Sequence, residues 1–224
     1  MISVEYLLVA FTDLTLTAFD IPKLRGYFSR KYADEPLFHN HPEPGKSAYR
    51  YPAIQYRVYR GHPALIGIGE GINALKKIIL DSHNITIGNS YMPVNELQID
   101  IRKEEFGQCE DMCTYRFISP WMALNQENYR EYIKTTTIDQ KARLLKILRG
   151  NLLTISKAFS YTIPDLDSVK VEGSFRTVSR NFHNIPMHCF TGRFGMNFKI
   201  PDHLALGKQV TRGFGVVEYY KEER

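Results

Sequence analysis

His39 and His41 stand two residues apart in the run His39-Asn40-His41-Pro42-Glu43, with Lys31, Tyr32, Lys46, Tyr49 and Tyr51 close by in the chain. In an extended segment, residues two apart point to the same side, so both imidazoles can address one reacting centre. Histidine takes or gives a proton near neutral pH, and lysine adds fixed positive charge. Cleavage of a phosphodiester by a neighbouring 2′-hydroxyl needs these parts: a base for the hydroxyl proton, an acid for the leaving oxygen, and positive charge for the phosphorane. The same pattern admits two other readings. His-x-His also chelates metal ions, though no third histidine or cysteine lies nearby, and Asn40, Pro42 and Gly45 belong in any surface loop.

A second constellation ends the chain. From His203 to Gly215 the sequence places Gly207, Gly213 and Gly215 around Lys208 and Arg212. Glycine has no Cβ to block a close approach of the backbone, and exposed N–H groups beside two cations suit phosphates. A plain glycine-rich turn into an edge strand is the competing reading. Gly67-Ile68-Gly69-Glu70-Gly71 also lies between a strand and a helix, but its G-x-G-x-G spacing and the charge of Glu70 argue against a dinucleotide site and for tight packing. His62, His83, His183, His188 and His203 form no comparable group; His188 falls on the apolar face of its strand and reads as a core residue. Trp121, after Pro120, reads as a plug between two halves of the chain rather than a base-stacking platform.

The elements that position these residues follow from periodicity. Ile2 to Phe11 reads as a strand and Ile21 to Tyr32 as a short helix. Ala53 to Arg60 and Ala64 to Gly69 are strands joined at Gly61-His62-Pro63. Ile72, Leu75, Ile78 and Ile79 share the face of a second helix, and Ile85 to Ile101 supplies a further strand or two. The order β-α-β-β-α-β is that of a ferredoxin-like unit. The second half repeats it: a strand over Met112 to Ile118, then a helix over Thr137 to Tyr161 with Ile138, Ala142, Leu145, Leu148, Leu152, Ile155 and Phe159 inward. Strands follow at Val169 to Arg180 and Met187 to Ile200. In these last two, Val169, Val171, Phe175, His188, Phe190, Phe194, Met196 and Phe198 alternate with Lys170, Arg176, Arg180, Arg193, Asn197 and Lys199. Pairing them with a shared apolar face leaves the basic residues on a solvent-facing ribbon. The glycine-rich loop replaces the second helix, and Val216 to Tyr220 is a last strand. The polar stretch Lys103 to Asp111 marks the boundary, giving domains over 1–105 and 106–224.

Composition limits the function classes. With 224 residues, 43% hydrophobic and 12% aromatic, the chain can bury one large core or two small ones, and disorder is excluded as a default. Lys and Arg exceed Asp and Glu by 29 to 24, and the net +5 favours polyanionic partners. Cys109, Cys113 and Cys189 contain no C-x-x-C pair, which excludes a disulfide framework and a four-thiolate zinc site and fits a reducing cytoplasm. The first residues carry Glu5 and no basic leader, and no apolar run approaches the ~20 residues of a membrane span, so a soluble cytoplasmic protein is expected.

Taken together, Leu24-Arg25-Gly26-Tyr27-Phe28, Phe38-His39-Asn40-His41, Tyr49-Arg50-Tyr51-Pro52-Ala53-Ile54-Gln55-Tyr56, Gly67 to Gly71 and the terminal Arg212-Gly213-Phe214-Gly215 resemble the CRISPR repeat-RNA-processing endoribonucleases of the RAMP superfamily. The resemblance is to the branch with F-H-N-H, Y-P-x-I-Q-Y and a C-terminal glycine-rich loop, and its anchors span nearly the whole chain. It implies an α+β protein of two tandem ferredoxin-like (RRM-like) domains, the second closed by the glycine-rich loop. It also implies cleavage of precursor RNA within the repeat, without metal or other cofactor, leaving 2′,3′-cyclic phosphate and 5′-hydroxyl ends. By position, His39 and His41 are its acid–base candidates, with Tyr49, Tyr51, Lys31 and Lys46 in support. Gly207, Lys208, Arg212, Gly213 and Gly215 would hold RNA, alongside Arg176, Arg180, Arg193 and Lys199 of the ribbon. One departure stands out: the family loop often begins G-x-G, whereas this chain has Ala205-Leu206-Gly207, which loosens the contact there. The implied partners are single-stranded CRISPR repeat RNA, a second copy in a homodimer and a CRISPR effector complex, with no membrane. Two alternatives stay open: a non-catalytic RAMP subunit that only binds guide RNA, and a metal-dependent hydrolase with His39 and His41 as ligands.

Overall fold

Ten residues from Ile2 to Phe11 form β1, and from Val4 on all but Glu5 are buried, as expected of a strand with neighbours on both sides and cover on both faces. The structure, a computed structural model, describes residues 1–39, 51–182 and 185–221. The chain divides into two compact units, one of Val4–Glu104 with Val210–Gly213, the other of Met1–Ser3, Glu105–Gln209 and Phe214–Arg224. Among the described residues no helix is long and apolar enough to cross a membrane.

In the first unit α1 (Ile21–Lys31) turns Ile21, Leu24 and Phe28 inward, and Arg30 and Lys31 oppose the negative end of its dipole. A single turn, α2 (Pro36–His39), follows. Phe38 pins it to the core: its ring stacks on Tyr32 at 4.9 Å and on Phe28 at 6.4 Å. β2 (Ile54–Tyr59) and β3 (His62–Ile68) pair antiparallel, and β3 pairs β1 on its other side. Their turn is tighter than the sequence suggested. It is Arg60-Gly61, with φ of 52° and 89°, so His62 and Pro63 open β3 instead. Proline is tolerated there because β1 begins to pair with β3 only at Ala64.

α3 (Glu70–Asp81) buries Ala74, Leu75 and Ile78 against the same sheet face as α1. The glycines at its start serve packing: a Cβ on Gly71, in its first turn, would lie 2.1 Å from the carbonyl oxygen of Ala53, and one on Gly67, just before it, 2.6 Å from the carbonyl oxygen of Gly71. A small hairpin of β4 (Asn84–Ile87) and β5 (Ser90–Pro93) follows, then β6 (Leu97–Phe117). The start of β6 flanks β1, where the Tyr6 hydroxyl donates to Glu104 at 3.1 Å. The polar residues 103–111 therefore belong to a strand rather than a linker.

In the second unit β6 pairs β8 (Ile185–Lys199) and β9 (Val217–Tyr219), and β8 pairs β7 (Val171–Phe182). Two helices precede the hairpin. The sequence pattern did not reveal α4 (Gln126–Tyr132), whose seven residues are too few to display a period; the Asn125 side chain caps it by accepting from Asn128 N at 2.7 Å. α5 (Thr137–Ala158) buries Leu144, Leu148, Leu152 and Ile155. Its first turns do not bury the residues expected. Ile138 is 81% exposed and Ala142 is exposed, because this end of α5 meets α4 through polar contacts: Gln140 donates to the Tyr132 carbonyl at 3.0 Å and Arg143 pairs with Glu131 at 2.5 Å. Trp121 is wholly buried within this unit, stacked on Phe117 at 5.0 Å, and donates to Asn151 at 3.3 Å.

Candidate active site

His39 ends α2 and is held at two points. Its Nε2 lies 3.1 Å from the carbonyl oxygen of Ala33, and its own carbonyl accepts from Arg25 Nη2 at 2.5 Å. A carbonyl only accepts, so the ring bond requires Nε2–H and leaves Nδ1 of the neutral ring with a lone pair. Ser29 Oγ fixes the turn by donating to the Phe38 carbonyl at 2.7 Å. Together Arg25, Gly26, Ser29, Arg30, Ala33 and His39 line an open cavity of about 400 Å³. Arg25, Gly26, Ser29 and Arg30 recur at helical spacing, so one face of α1 supplies one wall, and Ala33 and His39 close it from beyond the helix.

Arg25 also faces Arg212, which arrives from far along the chain. The 3-10 turn Val210–Arg212 packs on β2 and α1, and a Cβ added on Gly213 would lie 3.4 Å from Ile21 Cγ2 and from the Tyr56 carbonyl oxygen. Burial and the neighbouring Arg25 charge both lower the Arg212 pKa from its usual value. The Tyr56 hydroxyl, buried close to Arg25, has no hydrogen-bond partner among the described residues, and burial raises its pKa. The cavity is therefore lined by the guanidinium groups of Arg25 and Arg30 beside a histidine, with Arg212 close to Arg25, an arrangement that favours an anion.

The remaining candidates are distributed differently. Lys31 is not in this wall; it donates to the Asp81 carbonyl at 2.7 Å and pairs with its carboxylate at 3.4 Å. Tyr51 is buried, and its hydroxyl neighbours the guanidinium of Arg57, itself only 1% exposed and bonded to Gln55 at 2.6 Å. Desolvation pushes the Arg57 pKa down to about 10. His41, Lys46 and Tyr49 lie outside the described residues.

In the second unit the β7–β8 register sets Ser174 opposite Arg193, Arg176 opposite Thr191 and Arg180 opposite Met187. Arg176, Arg180 and Arg193 therefore share one face of the hairpin, away from Phe190, Phe194 and Met196. Arg193 lies 4.0 Å over the Tyr220 ring, whereas Lys199 is tied to Glu105 in an ion pair. Gly207 and Gly215 both have positive φ. A Cβ on Gly207 would meet Trp121 Nε1 at 2.6 Å, and one on Gly215 would meet the Leu206 carbonyl oxygen at 1.9 Å. Lys208 N donates to the Met122 carbonyl at 3.0 Å.

Family models describing the Cas6b N-terminal and C-terminal domains match residues 2–105 and 107–220. The chain belongs to the Cas6b family. A crystal structure of Cas6b shares 37% identity with a TM-score of 0.91, covering 98% of this chain and 100% of the other. A second, described as the CRISPR RNA processing endoribonuclease Cas6b, shares 33% identity with a TM-score of 0.79 at the same coverage. An uncharacterised protein of Methanocaldococcus jannaschii is 38% identical over 143 residues, 63% of this chain and 95% of its own length. The tandem ferredoxin-like architecture expected from the sequence is thus the Cas6b fold.

Two basic residues escaped the sequence reading. Arg30 shares the α1 face of Arg25 and could have been found from helical spacing. Arg116 could not: it faces Arg193 through the β6–β8 register and bonds Glu218 at 2.9 Å, a placement that only strand pairing creates.

Proposed function

We propose that this protein is a metal-independent endoribonuclease that cleaves CRISPR precursor RNA within the repeat. The observation that carries the reading is the cavity lined by His39, Arg25 and Arg30, with Arg212 close to Arg25, which brings a proton acceptor and fixed cations together. Membership in a family that includes a CRISPR RNA processing endoribonuclease supports the substrate. In the proposed reaction Nδ1 of His39 takes the 2′-hydroxyl proton as the 2′-oxygen attacks phosphorus. The 5′-oxygen leaves with a proton from His41, giving a 2′,3′-cyclic phosphate and a 5′-hydroxyl. Arg25 and Arg212 hold the charge of the phosphorane, the part a metal ion plays elsewhere. In this reading residues 1–105 carry the acid–base groups. Residues 106–224 hold single-stranded repeat RNA through Arg176, Arg180, Arg193, Lys199 and the loop of Gly207, Lys208, Arg212, Gly213 and Gly215. Tyr49, Tyr51, Lys31 and Lys46 act in support. Two of these supports are indirect, since Lys31 is engaged by Asp81 and Tyr51 by its buried surroundings.

The test is single-turnover cleavage of repeat RNA in EDTA, with the product ends identified. Cyclic phosphate ends at an undiminished rate are expected, with no cut at a 2′-deoxy nucleotide. His39→Ala and His41→Ala should each slow the reaction by ~10²-fold or more while leaving affinity near wild type. Tight binding without cleavage would assign the chain to the non-catalytic guide-binding class, and cleavage only with added zinc or manganese would make the histidines metal ligands.

A further inference from the structure

A second cavity, of about 640 Å³, lies wholly in the second unit, on the hairpin face opposite Arg176 and Arg180. That volume falls within the ~300–1,000 Å³ of small-ligand pockets. Met122, Leu124 and Met187 make it apolar. Two rings, Tyr129 and His188, stand side by side in its wall with centroids 5.4 Å apart, and Tyr129 is 37% exposed. His188 Nε2 is buried and has no hydrogen-bond partner among the described residues. Burial also lowers the His188 pKa, which keeps the ring neutral at pH 7 and its nitrogens able to donate or accept. Thr177 and Ser179 add hydroxyls, and among the described residues no carboxylate lines the space and Lys208 is the one cation that does.

An apolar peptide would leave the imidazole nitrogen and both hydroxyls without partners, and a free phosphate would have no use for the rings. A nucleotide satisfies all of them: its base offers a π-face and a hydrogen-bonding edge, and its phosphate offers the charge. We propose that this cavity captures one unstacked base of the bound RNA strand, stacked on Tyr129 and hydrogen-bonded by His188, with its phosphate at Lys208. The inference rests on the reading that the protein binds single-stranded RNA. It makes this cavity a determinant of base preference distinct from the cleavage chemistry at His39.

The test is fluorescence anisotropy with labelled short homopolymers of A, U and C, for wild type, Tyr129→Ala, Tyr129→Phe and His188→Ala. Wild type should prefer one homopolymer by ~10-fold, as one stacked base allows. Tyr129→Ala should lose ~10-fold on the preferred RNA, and Tyr129→Phe should keep the stacking. His188→Ala should flatten the preference. If every variant binds all three with wild-type affinity and preference, the cavity takes no base, although the RNA-binding reading survives. Failure of wild type to bind any RNA would instead sink that underlying reading. Because Tyr129 is part-exposed and Tyr129→Phe preserves its ring, a folding defect in His188→Ala leaves the tyrosine pair to decide.

Discussion

Arg25 donates through Nη2 to the His39 carbonyl at 2.5 Å while its charge presses on Arg212, so one side chain spans the histidine segment and the glycine-rich segment. Its Nε is buried and makes no hydrogen bond among the described residues. Arg25→Ala should therefore slow single-turnover cleavage by ~10²-fold, the usual cost of one lost transition-state donor. Arg25→Lys should recover only part of that, because an ammonium lacks the planar fork. Quantified product and a melting curve on each variant check both points; cleavage at the wild-type rate in Arg25→Ala would remove it from the site.

RNA binding should depend on salt. For single strands the slope of log K against log salt is about −0.7 per phosphate neutralised, so four or five contacts give a slope near −3. Combined Arg176→Ala and Arg193→Ala should flatten it by about one unit, and Lys199→Ala by less, since Glu105 already neutralises that lysine. Affinity titrations over a range of salt measure this, and a wild-type slope of zero would exclude the basic face.

The glycines of the loop should separate by stability. Gly213 has φ of +82° and only ordinary contacts at 3.4 Å, so Gly213→Ala should cost about 1–2 kcal/mol, the strain of the left-handed region. Gly215→Ala adds a Cβ 1.9 Å from a backbone oxygen and should cost more, about 3 kcal/mol or above. Thermal melting ranks them, and equal melting points would refute the packing role of Gly215.

Acid should weaken the second unit through His188. Burial lowers its folded pKa, so the unfolded chain binds the proton first, and stability present above about pH 6.5 is lost as pH falls towards the folded value. His188 packs on the rings of Tyr129, Tyr132 and Phe190. His188→Gln should flatten the acid limb of a melting-temperature profile. A profile of unchanged shape would show that this ring contributes nothing to it.

Long periodic segments were legible from the residues alone. α1, α3, α5 and the β7–β8 hairpin each carry a side-chain period over many residues, β1 is a continuous apolar run, and the alternation along the hairpin places Arg176, Arg180 and Arg193 on one face. Short or polar elements were not. α4 has no room for a period, and the polar stretch of β6 is exposed on alternate positions, so its composition resembles a linker.

The candidate site divides along the same physical line. His39 could be chosen from its chemistry and its neighbour two residues on, because titration and strand geometry are local properties. Its bond to Arg25, and the approach of Arg212 to Arg25, could not, since they depend on Phe38 anchoring one helical turn and on a 3-10 turn from near the end of the chain packing on α1 and β2. Nor could the engagement of Lys31 by Asp81, fifty residues away in sequence. Sequence by itself determined the residue types, the periods of the long elements and the excess of positive charge. Tertiary structure decided which charges meet, because proximity between distant segments is set by packing and strand register, and neither is encoded at any single position.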